Sequence, residues 1–262
     1  MAHDFPDALI GHTGFVGGNL LLQRPNVFGV RFNSSNIDTM AGGRFGRVVC
    51  AGVQAAKWWA NANPAEDRAR IEALLAVLKT INARHLVLVS TVDVYPEPAE
   101  CDETSPINVD ALRPYGWHRL EVEVFCREHF EHCSIVRLPA LFGPGLKKNV
   151  VFDLLNDNLV DRIHPDAMFQ WYPLTRLADD LDRIIAADCD LINMTTEPVA
   201  TADIAERFFP ERELNRPSVP APRYDLRSCR MDVFGRSAPY RLDRSEVLAD
   251  LGEWLATTRQ GA

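Results

Sequence analysis

The chain has 262 residues, of which 47% are hydrophobic and 24% charged, and its formal net charge is -8. This composition is typical of a globular protein that is long enough to bury a large core. The acidic balance, with no run of more than two basic residues, argues against nucleic-acid binding, and no apolar run reaches the roughly 18 residues that a membrane span needs.

Short apolar runs alternate with helical patterns in the first half of the chain. Strands are predicted at residues 8–10, 27–32, 47–53, 85–90 and 134–142. Helices are predicted at 17–23, 64–81 and 114–130, and the last two carry Pro in their first turn. This alternation predicts an α/β fold with a Rossmann-type doubly wound parallel sheet.

The pattern loosens after Gly145. Helices are predicted at 175–187, 202–209 and 243–258, a short strand at 191–194, and a proline-rich loop at 210–224. We expect residues 1–149 and 174–195 to form the sheet domain, and residues 150–173 and 196–262 to form a small C-terminal lobe.

The cysteines and the N-terminal residues indicate the cellular compartment in which the protein is expected. The six cysteines are scattered and form no Cys-x-x-Cys pair, and the N-terminal residues lack the basic and apolar parts of a signal peptide. We expect reduced thiols in a cytoplasmic protein. No metal site is expected, because the spacing in residues 129–133 matches no standard ligand set.

Three glycines follow the first predicted strand with G-x-x-G-x-x-G spacing: Gly11, Gly14 and Gly17. Glycine lets a backbone approach a pyrophosphate, and the helix N-terminus supplies N–H donors and the positive end of a dipole. The motif therefore predicts a dinucleotide site, with a tight structural turn as the alternative.

The second strand is not followed by the acid that binds an adenosine ribose in many dinucleotide folds. Asn33, Ser34 and Ser35 stand there instead, with Arg31 nearby. A 2′-phosphate would repel a carboxylate, so the pattern slightly favours NADP over NAD. Arg31 could equally be an ordinary surface residue.

Polar side chains follow the strand at 85–90, where ligands bind in open α/β sheets. Thr91 could donate a hydrogen bond to a substrate oxygen, or could only satisfy the end of the strand. Tyr115 then opens a helix with Arg119 one turn later. A free tyrosine has a pKa near 10 and is a poor base at neutral pH, so a neighbouring cation matters.

Four segments, GHTGFVGG, STVDVY, YGWHRLEVE and RLPALFGPG, resemble the extended short-chain dehydrogenase/reductase family of NAD-dependent epimerase/dehydratase type. The resemblance runs from Ala8 to about Leu251 and is strongest up to Gly145. It implies an NAD(P)-dependent oxidoreductase or epimerase acting on a hydroxyl or ketone carbon of a nucleotide-activated sugar or a similar polar metabolite. It also implies that NAD(P) binds the sheet domain, that the substrate binds the lobe, and that the helices at 64–81 and 114–130 pack in a homodimer.

The catalytic residues that the resemblance implies are Thr91 and Tyr115, together with Arg119 at the place of the family's lysine. Arg supplies the charge and fixed donors, but it cannot easily lose a proton. Asp93 falls where dehydratases and decarboxylases of the family carry a glutamate base, whereas Val92 falls on the dehydratase acid and has no proton to give.

The resemblance also implies two sets of binding residues. Cofactor contacts are expected from Gly11, Thr13, Gly14, Phe15, Val16, Gly17, Asn33, Ser34, Asn36, Ile37, Ala51, Gly52, Ser90, Tyr115, Arg119, Leu138 and Leu141. Substrate contacts are expected from Val92, Lys148, Asn149, Tyr172 and Arg223. Phe169 and Gln170 stand where the family often has Arg-Asp, which counts against a nucleotide sugar.

Two alternatives remain open at the level of sequence. The change from Lys to Arg at position 119 would suit a non-catalytic NAD(P)-binding sensor. A nucleotide-sugar dehydratase or decarboxylase would instead use Asp93 as its base.

Overall fold

The computed structural model describes residues 5–260. Its strands are β1 (Ala8–Ile10), β2 (Val30–Phe32), β3 (Arg44–Cys50), β4 (Asn82–Thr91), β5 (Cys133–Leu138), β6 (Ala140–Phe142), β7 (Met168–Phe169), β8 (Trp171–Pro173), β9 (Leu191–Asn193) and β10 (Val199–Ala200). Its α-helices are α1 (Phe15–Gln23), α2 (Lys57–Ala62), α3 (Pro64–Leu78), α4 (Pro114–His129), α5 (Val150–Asn156), α6 (Leu177–Ala186), α7 (Thr201–Phe208) and α8 (Arg244–Gln260).

Six strands form one sheet in the order β2-β1-β3-β4-β5-β9. β1 pairs in parallel with both β2 and β3, and β3 pairs in parallel with β4. The chain thus changes direction across the sheet at β1, and such a switch point leaves a crevice beyond the carboxyl ends of the strands. The predicted α/β fold with a Rossmann-type parallel sheet is confirmed.

The core of the sheet is apolar on both sides of its central strands. Leu86–Val89 of β4 are all buried, as expected for a parallel strand that helices cover on both faces. α3 packs here through a stripe at helical spacing that includes Ile71, Leu74 and Leu78, and α4 contributes Val122.

The structure corrects the bounds of two predicted strands and adds helices, α2 and α5, that the sequence did not indicate. The strand predicted at 134–142 is two strands, β5 and β6, separated by Pro139, which has no N–H to give to a sheet ladder. β3 begins at Arg44 and ends at Cys50, earlier than predicted. The six-residue helix α2 was not predicted at all.

The chain divides into two compact units. The first comprises the described residues up to Pro96 with Ser105–Arg137 and Leu177–Ile192, and the second comprises Glu97–Thr104, Leu138–Arg176 and the chain from Asn193 onward. The assignment of residues 1–149 and 174–195 to one domain stays a prediction.

The second unit is built around two small sheets and three helices. β6 pairs in parallel with β8, and β7 pairs antiparallel with β10. Apolar side chains of α5, α7 and α8 enclose its core, which includes Phe142, Trp171 and Trp254. Among the described helices of either unit, none combines the length and the apolar character that a membrane crossing requires.

Candidate active site

The glycine motif forms a tight turn between β1 and α1. Gly11 has a φ of +84°, its N–H donates to the Phe32 carbonyl at 2.7 Å, and the Gly14 N–H donates to the Gly11 carbonyl at 2.9 Å. A Cβ on Gly11 would lie 2.6 Å from the carbonyl carbon of Ala51, so this position requires glycine for both its backbone angle and its space. Gly17 is buried in α1, and a Cβ there would lie 2.8 Å from the Gly11 carbonyl carbon.

The turn and the start of α1 fit a pyrophosphate. Gly14 is the N-cap of this nine-residue helix, no side chain caps it, and its first turn, which begins with Phe15 and Val16, carries no acid. Thr13 and Gly14 are exposed. Uncapped N–H donors at a helix N-terminus with no nearby negative charge are suited to a bound phosphate group.

The segment after β2 is a compact polar loop. Asn33 accepts hydrogen bonds from the backbone N–H and the hydroxyl of Ser35, and its own N–H donates to the Asn36 side chain at 2.7 Å. Asn36 precedes a 3-10 helix that begins at Ile37, and Ser34 is exposed. These side chains offer hydroxyl and amide groups, rather than a carboxylate, to an adenosine ribose.

The end of β3 lies beside the glycine turn. The Ala51 N–H donates to the Ile10 carbonyl at 2.9 Å, which extends the pairing of β3 with β1 by one residue. Gly52 is exposed, and a Cβ there would lie 2.7 Å from the Ile10 side chain. The backbones of Gly11, Ala51 and Gly52 therefore meet at the switch point of the sheet.

Tyr115 is the second residue of α4, and only 6% of its surface is exposed. Thr91, the last residue of β4, is close enough for its side chain to lower the pKa of Tyr115. Burial is the largest cause that raises the pKa of Tyr115, and the Asp93 carboxylate raises it further. Arg119, Thr91 and Lys57 lower this pKa without offsetting the burial.

Gly116 allows α4 to begin this close to β4. A Cβ on Gly116 would collide with the carbonyl oxygen of Asp93 and would lie 3.1 Å from the Leu112 side chain. Asp93 belongs to a 3-10 helix of three residues that starts with Val92, and Val92 is buried, with 3% exposed. The glycine after Tyr115 thus brings the tyrosine and the end of β4 together.

Arg119 is buried, and protein oxygens engage both of its terminal nitrogens, whereas its buried Nε has no hydrogen-bond partner. Its Nη1 donates to Asp67 Oδ2 and to the Tyr115 carbonyl, and its Nη2 donates to Asp67 Oδ1 at 2.9 Å and to the Gln54 carbonyl at 2.5 Å. Its guanidinium carbon lies 4.0 Å from the centre of the Tyr115 ring. His118 Nδ1 lies 2.7 Å from Asp67 Oδ2.

Asp67, from α3, was not found by sequence reasoning. Burial would raise its pKa, but the hydrogen bonds from Arg119 and His118 outweigh this effect and hold the pKa below its usual value. Asp67 is 52 residues from Arg119, and no sequence spacing signals their contact.

Lys57 and Asn61 of α2 were also missed. Lys57 Nζ lies 2.6 Å from Asp93 Oδ1, and Asn61 Oδ1 accepts the backbone N–H of Tyr115 at 3.0 Å. The Asp93 N–H in turn donates to Thr91 Oγ1 at 3.1 Å. α2 therefore places a cation and a cap beside the tyrosine.

Ser90 is held by a buried charged group beneath the site. Its hydroxyl donates to Glu123, which is fully buried and forms an ion pair with Arg137 at 2.6 Å. Arg137 also donates to the Tyr95 hydroxyl at 2.7 Å. This arrangement ties α4, β4 and β5 together next to Thr91.

The residues expected to bind substrate lie in the second unit, apart from Val92. Asn149 caps α5 by accepting the Phe152 N–H at 3.1 Å, and it donates to the Leu141 carbonyl at 2.8 Å. Leu138 and Tyr172 are buried, Tyr172 completely, whereas Lys148 and Arg223 are exposed. Partial burial lowers the pKa of Lys148.

Gln170 lies at the place of the family's Arg-Asp pair, and its side chain is hydrogen-bonded to backbone groups. Its amide donates to the carbonyls of Thr196 and Leu226 at 2.6 and 2.7 Å and accepts the Leu226 N–H at 2.8 Å. It is 1% exposed. Within residues 5–260 no group of three or more His, Cys, Asp or Glu side chains is placed to hold a metal ion.

Comparisons with solved structures show the same fold over nearly the whole chain. A UDP-N-acetylglucosamine 4-epimerase from Methanobrevibacter ruminantium M1, in complex with UDP-N-acetylmuramic acid, is 12% identical with a TM-score of 0.73, covering 99% of each chain. A dTDP-4-dehydrorhamnose reductase from Bacillus anthracis str. Ames, in complex with NADP, is 14% identical with a TM-score of 0.74, covering 98% of this chain and 99% of the other. MoeE5, in complex with UDP-glucuronic acid and NAD, is 18% identical with a TM-score of 0.69, covering 98% of this chain and all of the other.

Family membership comes from the sequence match rather than from these distant likenesses. No curated protein matches the chain. The model of the NAD dependent epimerase/dehydratase family matches residues 34–169, more than half of the chain and including the segments that carry Thr91 and Tyr115. The chain belongs to the NAD dependent epimerase/dehydratase family, whose members are NAD(P)-dependent enzymes of the extended short-chain dehydrogenase/reductase type.

Proposed function

We propose that the protein is an NAD(P)-dependent oxidoreductase or epimerase that acts on a hydroxyl or ketone carbon of a nucleotide-activated sugar, with Tyr115 as the acid/base. The observation that carries the proposal is the buried Tyr115 side chain near Thr91 at the carboxyl end of β4, with the Arg119 guanidinium 4.0 Å from the centre of its ring. The nucleotide-sugar substrate is supported by the UDP-sugars bound in two of the similar structures.

Tyr115 and Thr91, both in the first unit, have different roles in the proposed reaction. Bound NAD(P) would accept or return a hydride. Tyr115 takes the proton from the substrate hydroxyl during oxidation and returns it during reduction, while Thr91 orients the same oxygen by a hydrogen bond. Because burial raises the pKa of Tyr115, its phenolate depends on cations nearby.

Arg119 serves this site by fixing Tyr115. All four of its terminal N–H groups already donate to oxygens of Asp67, Gln54 and Tyr115. Its contact with the tyrosine is through the ring face, where a guanidinium is attracted by the π-electrons. We therefore propose that Arg119 holds the ring in place, and that its expected grip on the cofactor ribose is secondary.

The cofactor is a nicotinamide dinucleotide, with a slight preference for NADP. This preference is supported by the loop at Asn33–Asn36, which offers amide and hydroxyl groups and no carboxylate. Arg31 does not add to it, because its guanidinium donates to the Pro25 carbonyl at 2.7 Å. Calorimetric titration with NAD and NADP in parallel tests the preference, and tighter binding of NAD would contradict it.

We further propose a cytoplasmic homodimer that packs through α3 and α4. Trp117 and Val124 of α4 lie seven residues apart on one face and are 39% and 40% exposed. Large apolar side chains in such a stripe are suited to a partner helix. Size-exclusion chromatography with light scattering tests the dimer, and a monomer at micromolar concentration would refute it.

The dehydratase or decarboxylase alternative requires Asp93 as a free base. Its carboxylate is paired with Lys57 at 2.6 Å, which favours a role in arranging charge near Tyr115. The sensor alternative requires cofactor binding without turnover. Loss of product formation in an Asp93→Asn variant would support the dehydratase or decarboxylase. Turnover by the wild-type protein would exclude the sensor.

The decisive experiment begins with native mass spectrometry of the purified protein, which identifies any retained nucleotide. Turnover is then measured with a panel of UDP- and dTDP-sugars with NAD or NADP, by nicotinamide absorbance and by chromatography of the sugar products. Tyr115→Phe should lose about 10²–10⁴-fold in kcat. Tyr224→Phe in the other unit is the matched control, and equal activity of the two variants would reject the role of Tyr115.

A further inference from the structure

We propose that Lys57, from α2, offsets the Asp93 carboxylate beside Tyr115 and so adds its positive charge to that of Arg119 at the tyrosine. Lys57 is thereby a positioning residue for proton exchange at Tyr115. The inference rests on the proposed function only in that Tyr115 is the residue that exchanges the proton.

The first support is the attachment of α2 to the start of α4. Asn61 of α2 accepts the backbone N–H of Tyr115 at 3.0 Å, so the two helices are joined at the tyrosine itself. Lys57 and Asn61 are four residues apart and share one face of α2. The bond that anchors α2 therefore also directs Lys57 toward the site.

The second support is a chain of contacts from Lys57 to the hydroxyl. Lys57 Nζ pairs with Asp93 Oδ1 at 2.6 Å, the Asp93 N–H donates to Thr91 Oγ1 at 3.1 Å, and Thr91 is close enough to Tyr115 to lower its pKa. The Asp93 carboxylate raises the pKa of Tyr115, and the Lys57 ammonium that lies against it lowers this pKa.

The third support is the difference between the two cations near Tyr115: Arg119 lowers the pKa of Tyr115 more than Lys57 does, but its guanidinium is fixed by Asp67. The charged groups around Tyr115 are Lys57, Asp93, Arg119 and, behind Arg119, Asp67 with His118. The Arg119 guanidinium lies over the ring face and forms a two-pronged ion pair with Asp67, whose side chain is 1% exposed. A buried, paired guanidinium cannot move as the phenolate forms, whereas Lys57 is 46% exposed on a flexible stem.

The scarcity of lysine makes the inference easy to test. The chain has only four lysines among its 28 basic residues: Lys57, Lys79, Lys147 and Lys148. Lys79 follows α3, in the same unit, and lies over the Phe125 ring at 5.9 Å. Lys79→Met is therefore a matched control for Lys57→Met.

The test measures the titration of Tyr115 directly, with no substrate present. The protein is labelled with 3-fluorotyrosine, whose more acidic phenol titrates where the fold is intact, and the Tyr115 fluorine resonance is identified by its loss in Tyr115→Phe. Lys57→Met should move the Tyr115 midpoint to higher pH, and Asp93→Asn should move it to lower pH. Lys57→Arg and Lys79→Met should leave it close to that of the wild type.

A Lys57→Met midpoint that coincides with the wild-type midpoint would overturn the inference. Because Lys57 is half exposed, the variant is expected to fold, and Lys57→Gln provides a second neutral side chain if it does not. Thermal melting of each variant accompanies the titration.

Kinetics separate this inference from the proposed function. With a sugar nucleotide that the wild type turns over, Lys57→Met should lose about tenfold or more near neutral pH and regain activity as the pH rises. An equal loss at every pH would count against Lys57. If no sugar nucleotide is turned over, the proposed function fails, while the opposite shifts in Lys57→Met and Asp93→Asn still decide the role of Lys57.

Discussion

The guanidinium of Arg119 is held by the buried carboxylate of Asp67, with one terminal nitrogen of Arg119 on each carboxylate oxygen. The same guanidinium covers one face of the Tyr115 ring at 4.0 Å. Arg119 therefore links α4 to α3 and also limits how the Tyr115 ring can move. A lysine has no planar pair of donors and could not satisfy both contacts.

Arg119→Lys is expected to lower the free energy of unfolding by about 2 kcal/mol or more, because charge-assisted bonds to Asp67 and to the Gln54 carbonyl are lost. Turnover should fall as the tyrosine ring loses its fixed position. Chemical denaturation and kcat of the variant check both effects. Arg68→Lys, at an exposed ion pair on α3, is the control and should leave the stability nearly unchanged. Full activity and stability of Arg119→Lys would mean that the site tolerates either cation.

Asp67→Asn should be less stable than the wild type by about 3–5 kcal/mol near neutral pH, because it leaves a buried guanidinium without its counter-charge. The pKa of Asp67 is lowered in the folded protein, so its contribution is complete above the ordinary aspartate value of 3.8 and is lost as the pH falls through the lowered value. The stability difference between the two proteins should therefore shrink in acid. Urea denaturation at a series of pH values measures it, and a difference that is constant down to the acid limit would contradict the assignment.

The buried pair of Glu123 and Arg137 offers a test by double substitution. Glu123→Gln should cost about 3–5 kcal/mol, because Arg137 is left buried with an unpaired charge. The combined Glu123→Leu and Arg137→Met variant should be less destabilised than Glu123→Gln, since both charges are removed together. Denaturation of the wild type, Glu123→Leu, Arg137→Met and the combined variant measures the coupling, and simple additivity of the two single changes would show that the pair is not coupled.

Two neighbouring glycines in α1 should respond in opposite ways to alanine. In Gly17→Ala the new Cβ would lie 2.8 Å from the Gly11 carbonyl carbon, so the turn must shift and NAD(P) binding should be lost. In Gly18→Ala the nearest atom is the His12 oxygen at 3.9 Å, so the variant should bind normally and gain up to about 1 kcal/mol of stability. Calorimetric titration with NAD(P) distinguishes them. Equal affinity of the two variants would indicate that the turn does not hold the pyrophosphate.

The sequence predicted the strands of the sheet because they are runs of apolar residues. It predicted α3 and α4 because each has apolar residues at helical spacing and a proline in its first turn. It could not predict α2, whose six residues span less than two turns and show no apolar period. The ion pair from Lys57 to Asp93 and the capping of Tyr115 by Asn61 were therefore also invisible. Those contacts join residues 36 and 54 positions apart, and only the folded chain brings them together.

The departure at Gln170 shows a different limit. From the sequence it was a missing phosphate contact, which counted against a nucleotide sugar. In the structure Gln170 is a buried bridge between the backbones of Thr196 and Leu226, so the position has a stabilising role in the second unit. A substitution at a family motif can therefore reflect a change in the hydrogen bonds that stabilise the fold, with no change of substrate.

The mutual dependence of Arg119 and Asp67 constrains how this site could have arisen. A lysine at position 119 would meet an acid at position 67 through a single point of charge, whereas an arginine acquired without that acid would be buried and unpaired, which is destabilising. We expect related sequences to vary at these two positions together, with an acid at the place of Asp67 wherever arginine follows the tyrosine by four residues.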